Sequence, residues 1–409
     1  MTTKELSPKE KRIYFITLAV MIITGAFNTI FTSLQNSSYT TVLGSPFVHP
    51  WYQSLQMFIG EAYCAIVWVI YRNKIRKNEE MERIEKGEPI DNRPEPNPFL
   101  FAVSASMDVI GTTLLNFALV MMDSSIFQML RGGIVIVTCC FSIIFLKKYP
   151  KNYHWLGIFL VFFGIVLVGF ASQQEGSQIK TDILGIFMLL ASLIFTGIQF
   201  GYQEAILIKY KTSSLQLIAW EGVFGCIITS ILLAIFEYVP CNFDKKEYIC
   251  PMNENKEYYL EQTIFAFKQM YEAWPILVYG ISQSISICLF NYFGVQISKY
   301  SSSATRAVMD SARTVLVWVF FMFIPVNGKT NNFKGLQLAG FIVLVLGQLI
   351  YNQLVTVNFA KMDKHYNNKL IIDNQKSLIK VDENNFSNNK HDLNDKLLIT
   401  VNESSRITT

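Results

Sequence analysis

The sequence predicts an all-α integral membrane protein in which ten transmembrane helices form two inverted five-helix repeats. Three observations predict this class: apolar stretches of membrane-spanning length recur, the two halves share short motifs in the same order, and basic residues concentrate between alternate stretches. Of the 409 residues, 51% are hydrophobic and only 16% are charged, and the mean hydropathy is +0.30. Soluble domains carry about 25% charged residues, so the composition favours a membrane protein.

Ten apolar stretches are long enough to cross a bilayer, because a helix rises about 1.5 Å per residue and the hydrocarbon core needs about 20 residues. The predicted spans are 13–31, 51–71, 99–122, 124–146, 154–172, 182–207, 215–239, 274–295, 300–325 and 334–355. They define a cytoplasmic N-terminus (1–12), a first five-helix repeat (13–172), a second five-helix repeat (182–355) and a disordered cytoplasmic tail (356–409).

The distribution of lysine and arginine gives the orientation. If odd spans run outward, 25 of the 35 basic residues lie in cytoplasmic segments and seven lie on the opposite side. The positive-inside rule therefore places both termini in the cytoplasm.

Two features of the non-cytoplasmic loops agree with that orientation. Asn36 begins a glycosylation sequon in the first such loop. Cys241 and Cys250 lie in the largest one, where an oxidising compartment would allow a disulfide. We therefore expect a multi-pass protein of an endomembrane, lysosome or Golgi-like, in preference to the plasma membrane.

An internal repeat connects the second and seventh spans. Ser54–Gln56 is followed by Glu61, and Ser214–Gln216 is followed at the same spacing by Glu221. Each half holds an odd number of spans, so the two halves enter the membrane from opposite sides. Such inverted repeats place a substrate site near the midplane, between the halves.

Polar and ionisable side chains within the spans are the candidate substrate-binding or coupling residues, because a charge at the bilayer centre costs at least about 2.5–3.5 kcal/mol. They are Glu61, Asp108, Gln128, Arg131, Gln199, Glu221, Asn291, Arg306, Asp310 and Arg313. The spacing of Arg306, Asp310 and Arg313 puts all three on one helical face, which favours a cavity-lining role. Structural ion pairs between helices are the alternative, and Glu204 is interpreted as a snorkelling residue at a helix end.

The candidate residues leave the substrate open. The arginines could hold a carboxylate or a phosphate, whereas the acids could bind a cation or carry protons. Scattered histidines predict no metal site, the absence of hydrolase and P-loop motifs disfavours an enzyme, and we expect no cofactor. The small net charge of +4 gives no reason to expect nucleic acid as a partner.

Several motifs resemble a known family. Asp108–Thr112, Ser124–Gly132, Glu221–Gly225 and Thr305–Thr314 are similar to segments of the EamA-like drug/metabolite transporter superfamily, and most of all to the F branch of solute carrier family 35. The resemblance covers about 13–355 and implies ten helices, inverted repeats and alternating access. The asparagine pair typical of some nucleotide-sugar carriers is absent at Phe290–Tyr292, which disfavours that substrate class.

Two functions follow as hypotheses. The first is a facilitative or proton-coupled solute transporter, whose partners are the lipid bilayer and a small molecule of unknown type. The alternative is a non-transporting receptor or scaffold that acts through the tail 356–409. Glycines in several spans allow close helix contacts, so a homodimer is a further hypothesis.

Overall fold

The computed structural model describes residues 8–40, 45–85, 93–122, 124–145, 152–173, 183–241, 250–251, 257–323 and 335–351. The tail 356–409, to which the scaffold hypothesis refers, lies outside these ranges. All the described residues except Asn152 and Tyr153 belong to one compact unit.

The described residues are almost entirely helical. The helices are α1 (Pro8–Ser37), α2 (Pro50–Glu85), α3 (Phe99–Met121), α4 (Ser124–Arg131), α5 (Ile134–Ile144), α6 (Asn152–Gln173), α7 (Ile183–Lys209), α8 (Ser214–Phe236), α9 (Thr263–Glu272), α10 (Trp274–Tyr300), α11 (Ser303–Phe323) and α12 (Gly335–Tyr351). Two short antiparallel strands, β1 (Tyr39–Thr40) and β2 (Ser45–Pro46), lie between α1 and α2.

Six helices are long and apolar enough to cross a membrane. They are the helical segments Arg12–Ser37, Pro50–Asn78, Phe99–Met121, Ile183–Lys209, Ser214–Phe236 and Trp274–Tyr300. Large apolar side chains such as Phe15, Ile70 and Phe187 are more than half exposed on these helices, as expected of lipid-facing positions. The chain is therefore an all-helical, multi-pass membrane protein.

The predicted span 124–146 is two helices rather than one. Gly132 and Gly133 form a turn between α4 and α5, and the Gly133 amide donates to Leu130 O at 3.0 Å in a tight i−3 bond. Consecutive glycines favour such a break because they lose the most conformational freedom in a helix. The break lies directly after Arg131.

Helix packing occurs mainly between the predicted halves. α1 packs against α10, α3 packs against α7, and α2 packs against α8. These contacts bring the polar stretches of α2, α3, α7, α8 and α10 together with α11.

The described residues between α8 and α10, namely 237–241, 250–251 and 257–273, are called the cap. Cys241 and Cys250 are joined by a disulfide, and the Cys241 amide donates to Tyr258 O at 2.8 Å. The short helix α9 then leads into α10. His49, which precedes α2, contacts Glu261 of this cap.

Candidate functional site

Arg306 of α11 is the centre of a buried polar network. Its side chain has no exposed surface. Nη1 donates to Gln203 Oε1 at 2.6 Å, and Nη2 donates to Asn291 Oδ1 at 3.2 Å. The guanidinium carbon also lies 3.8 Å from the centre of the Phe200 ring, which is a cation–π distance.

Glu221 of α8 forms one end of the network. Its Oε1 accepts hydrogen bonds from Ser104 Oγ at 2.8 Å and from Gln199 Nε2 at 2.7 Å. Gln203 Nε2 donates to Oε2 at 2.7 Å. Gln203 therefore links the carboxylate of Glu221 to the guanidinium of Arg306, because an amide offers both a donor and an acceptor.

Glu61 of α2 forms the other end. Asn291 Nδ2 donates to Glu61 Oε1, while the Asn291 oxygen accepts from Arg306. Glu61 Oε2 is buried and has no hydrogen-bond partner among the described residues. One chain of contacts thus runs Glu221–Gln203–Arg306–Asn291–Glu61 across five helices, with two carboxylates and one guanidinium.

Asp310 and Arg313 form a separate group on α11. Arg313 Nε lies 2.8 Å from Asp310 Oδ1, an ion-pair distance, although the angle between them does not make a hydrogen bond. The guanidinium also lies over the Phe290 ring at 4.4 Å, and Nη1 donates to Gly25 O at 3.4 Å. This pair fastens α11 to α1 and α10.

A cavity of about 50 Å³ lies beside the network. Four of the predicted site residues line it: Asp108, Arg131, Gln199 and Asn291. Polar side chains that the sequence analysis did not single out also line it, namely Asn28, Thr29, Thr32, Thr112, Asn116 and Thr196. A water needs about 10–15 Å³ of such space, so the cavity has room for a few waters.

Arg306, Asp310 and Arg313 of α11, which were predicted to line a cavity, do not line this one. Arg306 is enclosed by its partners, and Asp310 and Arg313 are buried against each other. Glu61 and Glu221 are likewise outside the lining. The side chain of Gln128 lies outside the described residues.

Arg131 differs from the other two intramembrane arginines. It is half-buried in the last turn of α4 and lines the cavity. Among the described residues Arg131 has no partner at hydrogen-bond or ion-pair distance, and the charge of Asp310 acts on it from further away. Its position follows from the glycine break, which ends the helix at this residue.

Three residues of the network were missed from the sequence: Gln203, Phe200 and Ser104. Gln203 lies one turn after Gln199 on α7, so helical spacing alone could have found it. Phe200 and Ser104 look like ordinary core residues of an apolar span, and no local signal marks them.

The interpretation of Glu204 as a snorkelling residue is wrong. Its side chain is only 2% exposed, and Oε2 accepts a hydrogen bond from the Ser303 amide at 2.7 Å. Ser303 begins α11, whose free amides and positive dipole end favour a carboxylate. Glu204 therefore caps the start of α11 and does not reach to the membrane surface.

The remaining predicted modification residue is Asn36. It lies in the last turn of α1, where Oδ1 accepts from Gln53 Nε2 at 2.6 Å and Nδ2 is buried. This geometry argues against glycosylation of the folded chain, because the amide nitrogen that would carry the glycan is enclosed. Within the described ranges, no three or more metal-binding side chains come together.

Comparison with known proteins gives consistent matches. The model of the EamA-like transporter family matches residues 42–170. The chain is similar to solute carrier family 35 member F6 from Homo sapiens, with 31% identity over 343 residues, 82% of this chain and 87% of that protein. An uncharacterized protein from Schizosaccharomyces pombe is 28% identical over 84% of this chain and 98% of its own length.

A further relative carries a substrate in its name. It is a UDP-N-acetylglucosamine/UDP-N-acetylgalactosamine transporter from Caenorhabditis elegans, 31% identical over 141 residues. The match covers 31% of this chain and 41% of that protein.

Proposed function

Because this chain belongs to the F branch of solute carrier family 35, among the EamA-like transporters, we propose that it is a secondary transporter that carries a small solute by alternating access. Its relatives are transporters rather than enzymes. The observation that carries the proposal is the polar cavity beside a buried charged network, at the place where helices of both halves meet. Charged groups within membrane spans are costly, and they commonly mark substrate or ion pathways.

The packing of the helices supports two inverted repeats of five spans. α4 and α5 together make one span, and α9 belongs to the cap. In this arrangement α1 corresponds to α7 and α3 corresponds to α10. The contact of α1 with α10 is then the counterpart of the contact of α7 with α3, and α2 packs on its own counterpart α8.

The size of the cavity supports a mechanism with moving halves. Binding pockets for small molecules measure about 300–1,000 Å³, whereas this cavity measures about 50 Å³. A solute can therefore enter only after the surrounding helices separate. Rocking of one repeat against the other would open the cavity to each side in turn.

The network supports proton coupling as one form of the mechanism. When both carboxylates are ionised, Glu61 and Glu221 carry two negative charges, whereas Arg306 carries one positive charge. A proton would remove that excess, and Glu61 Oε2 has no other partner among the described residues. Facilitated diffusion without a coupled ion is the other form that the proposal includes.

Orientation and location complete the proposal. Both termini lie in the cytoplasm, and the disulfide-bonded cap after α8 faces the lumen of an endomembrane compartment. Disulfides persist in such oxidising compartments.

Transport by purified protein in liposomes tests the proposal. Labelled amino acids, dipeptides, organic cations, organic anions and nucleotide sugars are offered separately, and exchange is measured for the wild type, Arg306→Gln and Arg76→Gln. We expect exchange of one class, loss of that exchange in Arg306→Gln, and no change in Arg76→Gln, whose exposed side chain contacts Glu95 at the surface. Retention of full exchange by a folded Arg306→Gln protein would remove the network from the mechanism.

A further inference from the structure

Most of the charged side chains near the cavity do not line it. Glu61, Glu221 and Arg306 have direct or amide-bridged partners in the network, and Asp310 and Arg313 pair with each other. None of these five lines the cavity. These five charged groups therefore contact protein groups and not the cavity.

Among the described residues, the cavity lining contains one carboxylate and one guanidinium, those of Asp108 and Arg131. Asp108 is on α3, and Arg131 ends α4 at the glycine break. Neither lies at ion-pair distance from a residue that the structure describes, although Asp108 interacts with Gln199 and Arg306 and the charge of Asp310 acts on Arg131. The lining thus offers one negative and one positive group to whatever enters.

The rest of the lining divides into two kinds. Hydroxyl and amide groups of α1, α3 and α7 can donate to and accept from polar atoms. Apolar side chains complete the wall, namely Met57, Leu115, Leu119, Phe127, Phe200, Ile287 and Phe290. A ligand with two charged ends and an apolar or small side group fits both kinds.

The charged groups that a solute carries then determine how many contacts it makes with the lining. A solute with only a positive group gives Arg131 no charge-assisted contact, and a solute with only a negative group gives Asp108 none. A charge-assisted hydrogen bond to each group is among the strongest polar contacts. A zwitterion supplies both contacts at once.

We propose that the transported solute is a zwitterion of amino-acid or small-peptide type, with its carboxylate at Arg131 and its ammonium group at Asp108. The inference rests on the proposed transport function. It deepens that proposal by naming a substrate class, and it disfavours nucleotide sugars, whose diphosphate is anionic.

Competition in the liposome assay tests the inference with matched probes. Leucine and alanyl-alanine are the zwitterions, their methyl esters lack the carboxylate charge, and their N-acetyl derivatives lack the ammonium charge. UDP-N-acetylglucosamine is the anionic alternative. We expect one or both zwitterions to exchange, and the blocked forms of that solute to be weaker by about tenfold to a hundredfold, the cost of an unsatisfied buried group.

Two variants assign the ends of the solute. Arg131→Gln should remove most of the advantage of the zwitterion over its methyl ester, and Asp108→Asn should remove most of its advantage over the N-acetyl form. Ligand-induced thermal stabilisation of the purified variants, measured with the same probes, reports binding independently of flux.

The outcomes separate the two proposals. Exchange of the esters, the N-acetyl forms or the nucleotide sugar in preference to the zwitterions keeps the transport function and overturns the zwitterion inference. If no probe or labelled class is exchanged and none stabilises the protein, both proposals are wrong. If zwitterions are preferred but the variants do not alter that preference, Asp108 and Arg131 are not the recognition pair.

Discussion

Gly60 of α2 lies directly against Ser284 of α10: a Cβ atom built on Gly60 would lie 2.0 Å from the Ser284 carbonyl oxygen. The Ser284 hydroxyl also donates to Gln56 O at 2.7 Å. The backbones of two helices, one from each predicted half, are therefore in contact at a position where only glycine fits. Small residues allow such close packing of helices in membranes.

Gly60→Ala should destabilise the folded protein. The added methyl group must push against a backbone oxygen, and overpacking of this kind costs about 1–3 kcal/mol. The measurement is the thermal midpoint of the purified protein in detergent. Gly335→Ala is the control, because a Cβ there has nothing within 4 Å and should change the midpoint little. Equal midpoints for the two variants would contradict the close contact.

The two repeat-related glutamates should respond differently to neutralisation. In Glu221→Gln, an amide NH₂ replaces an oxygen that accepts hydrogen bonds, so a donor faces a donor, and the loss is about 1–3 kcal/mol of folding free energy. In Glu61→Gln, the oxygen facing Asn291 is kept and the amide replaces the unpartnered Oε2, so stability should change much less.

Thermal midpoints check the stability difference, and flux measured with and without a proton gradient checks the coupling. If the transporter is proton-coupled, Glu61→Gln should lose the response to the gradient while the protein stays folded. A larger stability loss in Glu61→Gln than in Glu221→Gln would contradict the assigned contacts.

Removal of the Glu204 carboxylate should weaken the start of α11. Glu204→Ala leaves the Ser303 amide without its acceptor, which costs about 1–3 kcal/mol, whereas Glu204→Gln keeps one acceptor oxygen and should cost less. Urea or thermal unfolding of the two variants measures the difference. Glu95→Gln, at an exposed surface pair, controls for loss of a carboxylate as such. A wild-type midpoint for Glu204→Ala would show that this cap does not stabilise the helix.

His49 should hold the cap to the start of α2. Its Nδ1 lies 2.5 Å from Glu261 Oε1, its Nε2 lies 3.0 Å from Gln269 Oε1, and all three side chains are at most 1% exposed. His49→Ala should therefore loosen the cap by about 1–3 kcal/mol, because it leaves buried groups unpaired. Limited proteolysis of the cap measures this, with cleavage at α9 expected to quicken. His154→Ala changes a histidine on another helix and serves as the control. Cleavage at the wild-type rate in His49→Ala would show that the contact does not retain the cap.

Much of the fold could be predicted from local sequence. The apolar stretches correspond to helices because each must satisfy its own backbone hydrogen bonds in lipid. The break after Arg131 was missed, since hydropathy reports the length of a stretch and does not mark where two glycines interrupt it. The candidate site was found in part: ionisable residues stand out in an apolar span, but Gln203 and Phe200 do not.

The partners of each charge could not be predicted. Asn291 and Glu61 are 230 residues apart, and Arg306 and Gln203 are 103 apart. The spacing of Arg306, Asp310 and Arg313 predicts one shared helical face, and therefore one shared environment. In the structure their contacts differ. Gln203 of α7 and Asn291 of α10 accept hydrogen bonds from Arg306, whereas Asp310 lies at ion-pair distance from Arg313.

The sequence by itself determined the membrane-embedded helical architecture and the residues whose charges need an explanation, because the costs of lipid insertion act on each segment separately. The tertiary structure decided which charged groups are held in contacts away from the cavity and which line it. That division depends on side chains from five helices meeting at one depth, and no single segment contains the information that places them there.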